Sequence, residues 1–164
     1  MADTAVKING YIMKVFEIVA AICIVVIIIA TSIQVFTRYV LSSSMVGTEE
    51  LARFCFIWAT MLGASICVNH EAHAVVSFLP DKLKGKIKTN HAYLIQAFII
   101  MAAGILIVQG VKMLGVTWNQ LSPTLNVPMW IVYLAIPIGG IGIFMGAINN
   151  IIKIYRNAKG EVSK

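Results

Sequence analysis

Four long apolar segments constrain this chain more than any other feature of its sequence. They cover Ile18–Thr37, Phe54–His70, Thr89–Val111 and Pro128–Ile152. A helix needs about 20 mostly apolar residues to cross the hydrocarbon core of a bilayer, and each segment comes close to this length or exceeds it. Open strands would leave backbone polar groups unsatisfied in lipid. We therefore predict an all-α integral membrane protein, a single membrane domain over residues 1–164 with four transmembrane helices at about 15–40, 50–70, 90–114 and 128–152.

The composition supports a membrane protein and excludes several other classes. Hydrophobic types make up 59% of the 164 residues and charged types 12%, whereas soluble domains have about 45–50% and 25%. So few charges cannot cover a globular surface, which excludes a soluble enzyme domain and a disordered tail. Cys23, Cys55 and Cys67 lie in apolar stretches without a C-x-x-C motif, which argues against a disulfide scaffold or a zinc site.

The distribution of basic residues predicts the orientation of the chain in the membrane. Ten of the thirteen lysines and arginines lie in the N-terminal tail, the loop between spans two and three, and the C-terminal tail. The two other loops, 42–50 and 117–127, contain none. Because cytoplasmic loops carry an excess of lysine and arginine, both termini are predicted on the cytoplasmic side, an N-in/C-in topology.

The loop between the second and third spans has the pattern of a helix that lies on a membrane surface. Apolar residues occur at helical spacing at positions 76, 79, 83 and 87, with lysines between them. Such segments place basic side chains toward anionic headgroups. We predict a short amphipathic cytoplasmic interfacial helix, with an irregular solvated loop as the alternative. The lysines expected to contact lipid headgroups are Lys82, Lys84, Lys86 and Lys88.

Residues that could carry out chemistry are scarce. Glu17 lies near the inner end of the first span, and His70, His73 and His91 are predicted at one membrane interface. A haem held by two histidines needs them to face each other within the bilayer. The sequence has no glycine-rich phosphate loop and no H-E-x-x-H motif. We therefore predict no catalytic residues, no metal site, no cofactor and no enzymatic activity.

Charged residues at the outer ends of the first two spans form a candidate structural cluster. Arg38 ends the first span, Glu49 and Glu50 begin the second, and Arg53 is spaced to pair with either glutamate. Acidic residues at a helix N-terminus are also favourable. We predict an ion-pair cluster that joins the two helix ends, with independent side chains extending to the membrane surface as the alternative. Trp58 lies deeper and is expected to contact other helices.

Small residues predict where helices approach each other closely. Gly142 and Gly146 form a G-x-x-x-G motif in the fourth span, and Ala59 and Gly63 belong to a ridge of small residues on the second. Such ridges let helix backbones come close together in membranes. The sequence leaves open whether each ridge packs within this chain or against a partner.

Two stretches carry a series of motifs in a fixed order. Residues 38–88 contain Arg38–Tyr39, the run Glu49–Phe54 followed by Phe56 and Trp58, Leu62–Ala64, His73 and Leu79–Pro80; residues 122–143 contain Pro128, Trp130, Tyr133, Pro137 and Gly139. In order and spacing this series resembles the small membrane subunit, called Q or DctQ-like, of tripartite ATP-independent periplasmic (TRAP) transporters.

The resemblance implies a function that agrees with the scarcity of residues that could carry out chemistry. Small subunits of this family pair with a much larger membrane subunit, which binds substrate and sodium, while a periplasmic binding protein delivers the solute. The chain would then be a small permease subunit that scaffolds the large one for sodium-coupled uptake of an organic acid, of the sialic acid or C4-dicarboxylate type. Sodium is expected in the partner subunit and not in this chain.

The resemblance also implies a place and partners. The expected location is the bacterial inner membrane, with multiple crossings. The expected partners are the large subunit, in a heterodimer, the periplasmic binding protein and phospholipid, but not nucleic acid. Arg38, Glu49, Glu50, Arg53 and Trp58 become structural or subunit-interface residues. On the outer side, the candidate contacts with a periplasmic partner are Ser43, Ser44, Trp118, Asn119 and Ser122.

The main alternative is a self-sufficient small carrier that works as a four-helix homodimer. Its size and number of spans would be similar. Such a carrier needs an acidic residue within the first span, and Glu17, the candidate there, lies close to the inner edge.

Overall fold

The computed structural model describes residues 2–40, 46–70 and 86–161, and helices account for nearly all of them. The helices are α1 (Ala2–Val40), α2 (Val46–His70), α3 (Lys86–Thr117), the short α4 (Met129–Tyr133) and α5 (Ala135–Glu161). Within these ranges, four segments are long and apolar enough to cross a membrane: Asn9–Val40, Gly47–His70, Ala92–Thr117 and Met129–Tyr155. The predicted all-helical fold with four membrane-spanning helices is confirmed.

The four long helices pack as a row, and their order in space differs from their order in the chain. α1 packs against α2, α2 against α5, and α5 against α3. In the described part of the chain, α1 and α3 share at most a marginal contact, because they stand at opposite ends of the row. Of the four spans, the one that contains α5 has the largest buried share. The last helix of the chain is therefore central in the fold.

Glycines let α5 lie close to both of its neighbours. A Cβ atom at Gly139 would come within 2.9 Å of the Met61 Cβ on α2. On the other side, a Cβ at Gly140 would lie 3.0 Å from the Ile107 side chain of α3. Both distances are shorter than ordinary contacts between carbon atoms. These positions therefore set the spacing of α5 from α2 and α3.

α1 and α2 run antiparallel in a regular register. Asn9 contacts Asn69, Met13 contacts Ser65, and the thiol of Cys23 lies beside that of Cys55. In this register Glu49 is level with residue 29 of α1. With 39 residues, α1 is also about 58 Å long, well above the roughly 30 Å of a hydrocarbon core. The outer end of α1 therefore extends beyond the first turn of α2.

We call the end of the row that carries residues 118–128 the outer end, and the end that carries His70 the inner end. The first residues of α1 and the last residues of α5 lie toward the inner end, as four crossings require. That this end faces the cytoplasm stays a prediction. Of the predicted interfacial segment, Lys82 and Lys84 lie outside the described residues, whereas Lys86 and Lys88 lie in the first turn of α3.

Candidate functional site

The connection between α3 and α4, residues 118–128, forms a compact outer loop. Its two ends are joined by an isolated bridge between Leu121 and Pro128. The Ser122 amide donates a hydrogen bond to the Val127 carbonyl at 2.9 Å, and Asn126 takes a left-handed conformation with φ 52°. Asparagine adopts this conformation more readily than most residues. The chain can therefore reverse direction here within a few residues.

Two tryptophans stack at the base of the outer loop. The rings of Trp118 and Trp130 have centroids 5.3 Å apart and an interplanar angle of 23°. Trp118 stays 61% exposed, and Asn119 beside it is exposed as well. Stacked aromatic rings bury apolar area while keeping a polar N–H available. Contact of Trp118 and Asn119 with a periplasmic partner stays a prediction, and Ser43 and Ser44 lie outside the described residues.

Glu50 holds the outer loop against the first turn of α2. Its Oε2 accepts hydrogen bonds from the backbone amides of Thr124, at 3.2 Å, and Leu125, at 3.0 Å. Gly47 makes room for the loop, because the Leu125 side chain lies only 3.4 Å from the place where a Cβ would stand. Hydrogen bonds to a carboxylate are stronger than those between neutral groups. The side chain of Glu50 thus joins two segments that are far apart in sequence.

Ser122 lies inside this contact and is not at the outer surface. It is only 1% exposed, and its hydroxyl lies beside the Glu50 carboxylate. Among the described residues, its Oγ makes no hydrogen bond of good geometry. Contrary to the prediction, its side chain is not offered to a periplasmic partner, since the turn around it directs the hydroxyl inward.

The predicted cluster of four charges is divided in the structure. Arg53 Nη2 lies 2.9 Å from Glu49 Oε1, and both side chains are largely exposed. Glu50 turns to the outer loop instead. Within the described part of the chain, Arg38 forms no salt bridge. Trp58 is partly buried on the opposite side of α2 from Glu49, nine residues away at 100° per residue.

An inner polar network joins α1, α2 and α5. Asn9 donates from Nδ2 to Asn69 Oδ1 at 2.7 Å, and Asn69 donates in turn to the Ser65 carbonyl at 3.1 Å and the Gly142 carbonyl at 3.4 Å. Asn150 donates to the Val68 carbonyl at 2.8 Å. Such bonds hold helices together where water is excluded.

This network was not among the features predicted from the sequence. Its signal was the occurrence of amide side chains, Asn69 and Asn150, at the inner ends of otherwise apolar spans. Polar residues in spans usually face other helices or a cavity. That rule would have indicated a contact, although it could not have named the partners.

The G-x-x-x-G motif of α5 lies against the same network. A Cβ at Gly146 would come within 2.5 Å of Asn69 Nδ2, and one at Gly142 would overlap Ser65 Oγ and the Phe16 ring. These glycines therefore face α2 and α1 inside the chain. On α2, Ala59 is partly buried, whereas a Cβ at Gly63 would meet nothing within 4 Å among the described residues. On the α2 ridge, the surface at Gly63 is therefore not covered by any described residue.

The acidic residue of the first span is paired with a histidine. Glu17 Oε1 lies 3.1 Å from His70 Nε2, and both side chains are partly exposed at the inner end. In the part of the chain that the structure describes, no group of three or more His, Cys, Asp or Glu side chains could hold a metal ion.

Comparison with known proteins identifies the family. The family model described as "Tripartite ATP-independent periplasmic transporters, DctQ component" matches residues 27–157, which include α2 to α4 and most of α5. The chain belongs to the DctQ family. This confirms the resemblance given by its sequence motifs. As a component of transporters, a DctQ protein is not an enzyme, as predicted. With four spanning helices, this DctQ protein is a multi-pass membrane protein.

Three relatives illustrate what this DctQ chain is similar to. A small permease protein assigned to a TRAP transporter of Haemophilus influenzae is 26% identical over 153 residues, which is 93% of this chain and 95% of the relative. The sialic acid TRAP transporter small permease protein SiaQ of Vibrio cholerae is 24% identical over 131 residues, 79% of this chain and 75% of the relative. The isethionate TRAP transporter permease protein DctMQ of Oleidesulfovibrio alaskensis is 26% identical over 99 residues, 59% of this chain but 16% of that longer protein.

Proposed function

We propose that this DctQ chain is the small permease subunit of a TRAP transporter in the bacterial inner membrane. It supports a larger membrane subunit during sodium-coupled, binding-protein-dependent uptake of an organic acid. The observation that carries the proposal is the DctMQ relative. There, a segment similar to this chain makes up 16% of a longer permease protein. A small unit that is fused to a large permease in one organism is expected to assemble with a separate large permease in another.

The distribution of charge supports a scaffolding role for this chain. Long stretches of its spans, residues 18–37, 54–69, 92–111 and 135–152, contain no Asp, Glu, Lys or Arg. Ionisable residues inside spans mark most ion and substrate pathways. Glu17, which directly precedes the first of these stretches, is paired with His70. Ion coupling and substrate binding are therefore assigned to the large subunit.

The proposed substrate is an organic acid of the sialic acid or C4-dicarboxylate type. The name of the Vibrio cholerae relative, a sialic acid small permease, supports this class. A periplasmic binding protein is the proposed third component, and the exposed Trp118 on the outer loop is the proposed place of contact. Phospholipid is expected around the apolar faces of α1 and α3.

The test is reconstitution with and without this chain. The chain is expressed together with the large permease and the binding protein encoded beside it, and uptake of labelled sialic acid, C4-dicarboxylates and isethionate into proteoliposomes is measured. We expect uptake that needs all three proteins and a sodium gradient. Full uptake without this chain would contradict the scaffolding role. Uptake by this chain alone, lost in Glu17→Gln, would instead support the homodimeric carrier.

A further inference from the structure

One face of α2 differs from the exposed faces of the other spans. Seven residues recur along it at helical spacing, and we call them the α2 stripe: Glu49, Arg53, Phe56, Thr60, Gly63, Ala64 and Cys67. At 100° per residue they fall within an arc of about 100°. Six of them are exposed, and Gly63 is partly exposed. The α2 stripe therefore forms one continuous surface along most of the span.

The α2 stripe faces away from the other described helices. Leu62 and Ser65, on the other side of α2, are 1% and 0% exposed, and Ser65 lies against α1 and α5. Within the described residues, the Cβ position of Gly63 has nothing within 4 Å. The small residues of the stripe consequently do not serve packing among the residues that the structure describes.

The other three spans present large apolar side chains on their exposed faces. These side chains are Ile18, Ile22, Val25 and Ile29 on α1, Leu94, Phe98, Met101, Ile105 and Val108 on α3, and Ile141, Phe144, Ile148 and Ile152 on α5. Faces of this kind are suited to contact with the acyl chains of lipids. The α2 stripe has a single large apolar side chain, Phe56, which is 59% exposed. Its other members are charged, hydroxylic or small.

A surface of this kind is typical of contact between helices and not of contact with lipid. Helix association in membranes depends on small residues, which allow close approach, and on polar groups that bond across the interface. The Glu49–Arg53 pair adds to this, because Arg53 lies six residues, about 9 Å, inside Gly47, where the span begins. Charged groups at such depth are favoured where protein or water surrounds them.

We propose that the α2 stripe is the surface on which the large membrane subunit packs. This inference rests on the proposed function and adds the interface to it. The occupant is a membrane helix of the partner that approaches closely along Thr60, Gly63 and Ala64, receives the Phe56 ring, and offers polar groups to the Glu49–Arg53 pair. The DctMQ relative favours a large permease over a second copy, because there the similar segment and a larger remainder share one polypeptide.

A pair of matched substitutions tests the position of the interface. Ala64 on the α2 stripe and Ala102 on the apolar face of α3 are both exposed alanines inside a span. Ala64→Trp adds bulk where a partner helix is expected, whereas Ala102→Trp adds the same bulk toward lipid. We expect Ala64→Trp to lose both the co-purified large subunit and uptake, while Ala102→Trp keeps both. Each variant alone must still elute as a single species in mild detergent with an unchanged thermal transition.

The exposed thiol of Cys67 supplies a second measurement that does not depend on mutating the interface. In a chain with Cys23 and Cys55 changed to alanine, the rate of Cys67 labelling by a membrane-permeant maleimide is measured with and without the large subunit. We expect severalfold slower labelling in the complex. The control is the same Cys23→Ala, Cys55→Ala chain with Cys67→Ala and Ala102→Cys added, so that its one cysteine lies on α3. Its labelling rate should be the same with and without the large subunit.

The outcomes separate the two proposals. If the unmodified chain binds the large subunit but Ala64→Trp also binds it and Cys67 reacts at the same rate in both states, the interface lies elsewhere and the proposed function stands. If the unmodified chain binds no large subunit, the proposed function and the interface fail together. If Cys67 is already protected in the chain alone and the particle has the mass of two copies, the α2 stripe is a homodimer surface.

Discussion

Substituting Gly139 by alanine tests the contact that determines the spacing of α2 and α5. The new Cβ would lie 2.9 Å from the Met61 Cβ and 3.0 Å from the Met61 carbonyl oxygen. Neither atom is at the end of a flexible side chain, so a rotamer change cannot relieve the overlap. Ordinary contacts between carbon atoms need about 3.5–4.0 Å. The two helices must therefore separate by roughly 0.6–1 Å.

The expected loss of stability follows from this displacement. Overpacking of a well-packed site costs about 1–3 kcal/mol. Separation also weakens the bond from Asn69 to the Gly142 carbonyl, already 3.4 Å long, and such bonds are worth about 0.6 kcal/mol in membranes. Replacing a helical glycine by alanine returns about 0.5–1 kcal/mol. The net expectation for Gly139→Ala is a destabilisation of about 1–2 kcal/mol.

Gly104→Ala is the matched control. Gly104 lies within α3, and a Cβ there would meet nothing within 4 Å among the described residues. This variant should gain about 0.5–1 kcal/mol from helix propensity alone. Unfolding of both variants is followed by tryptophan fluorescence during SDS titration and heating in mild detergent. The two variants should differ by about 2 kcal/mol, or roughly 4–8 °C in Tm. Equal stability, or a more stable Gly139→Ala, would refute the close packing.

Three further substitutions have distinct expected outcomes. Glu50→Ala should speed hydrogen exchange of the outer-loop amides, Leu125 included, as measured by mass spectrometry. Glu49→Ala should leave the exchange rates of these amides unchanged. Equal effects of the two substitutions would contradict the hydrogen bonds to Glu50. Asn69→Leu should lower the free energy of unfolding in SDS by about 1 kcal/mol, because it breaks bonds to α1 and α5; an unchanged unfolding curve would count against the network. Arg53→Ala should change the stability of the chain alone by about 0.5 kcal/mol or less, since the ion pair of Arg53 is exposed. The same substitution should reduce co-purification of the large subunit. An unreduced yield of the large subunit would argue against a place for Arg53 in the interface.

The fold class could be predicted from the sequence because a bilayer imposes one strict requirement on it. Apolar segments of sufficient length must be helices. The family could also be predicted, because its motifs follow one another along the chain and need no knowledge of tertiary contacts. The fold class and the family can both be inferred from residues that are close together in the sequence.

The division of the charged cluster could not be predicted, because it depends on axial displacement and on a distant loop. Spacing within α2 showed correctly that Arg53 can reach Glu49. It could not show that Glu50 is taken by the amides of Thr124 and Leu125, more than seventy residues away. Nor could it show that Arg38 forms no salt bridge within the described residues.

The order of helices in the row was equally inaccessible from hydropathy. Each span is apolar nearly all round, so periodicity does not mark the face that meets a neighbour. The glycines of α5 gave a partial signal, since close approach needs small residues. The contacts at Gly139 and Gly140 show that α5 meets α2 on one side and α3 on the other.

The central place of α5 has a consequence for the order in which the protein is made. Synthesis proceeds from the N-terminus, so α1 and α2 can pair as soon as they enter the membrane. α3 follows, but among the described helices its substantial contacts are with α4 and α5, which the ribosome has not yet released. Until those segments are made, the third span lacks its main contacts within the described chain. A nascent chain cut short before residue 118 would therefore hold the α1–α2 pair and a third span without the contacts that α4, α5 and the outer loop supply in the described structure.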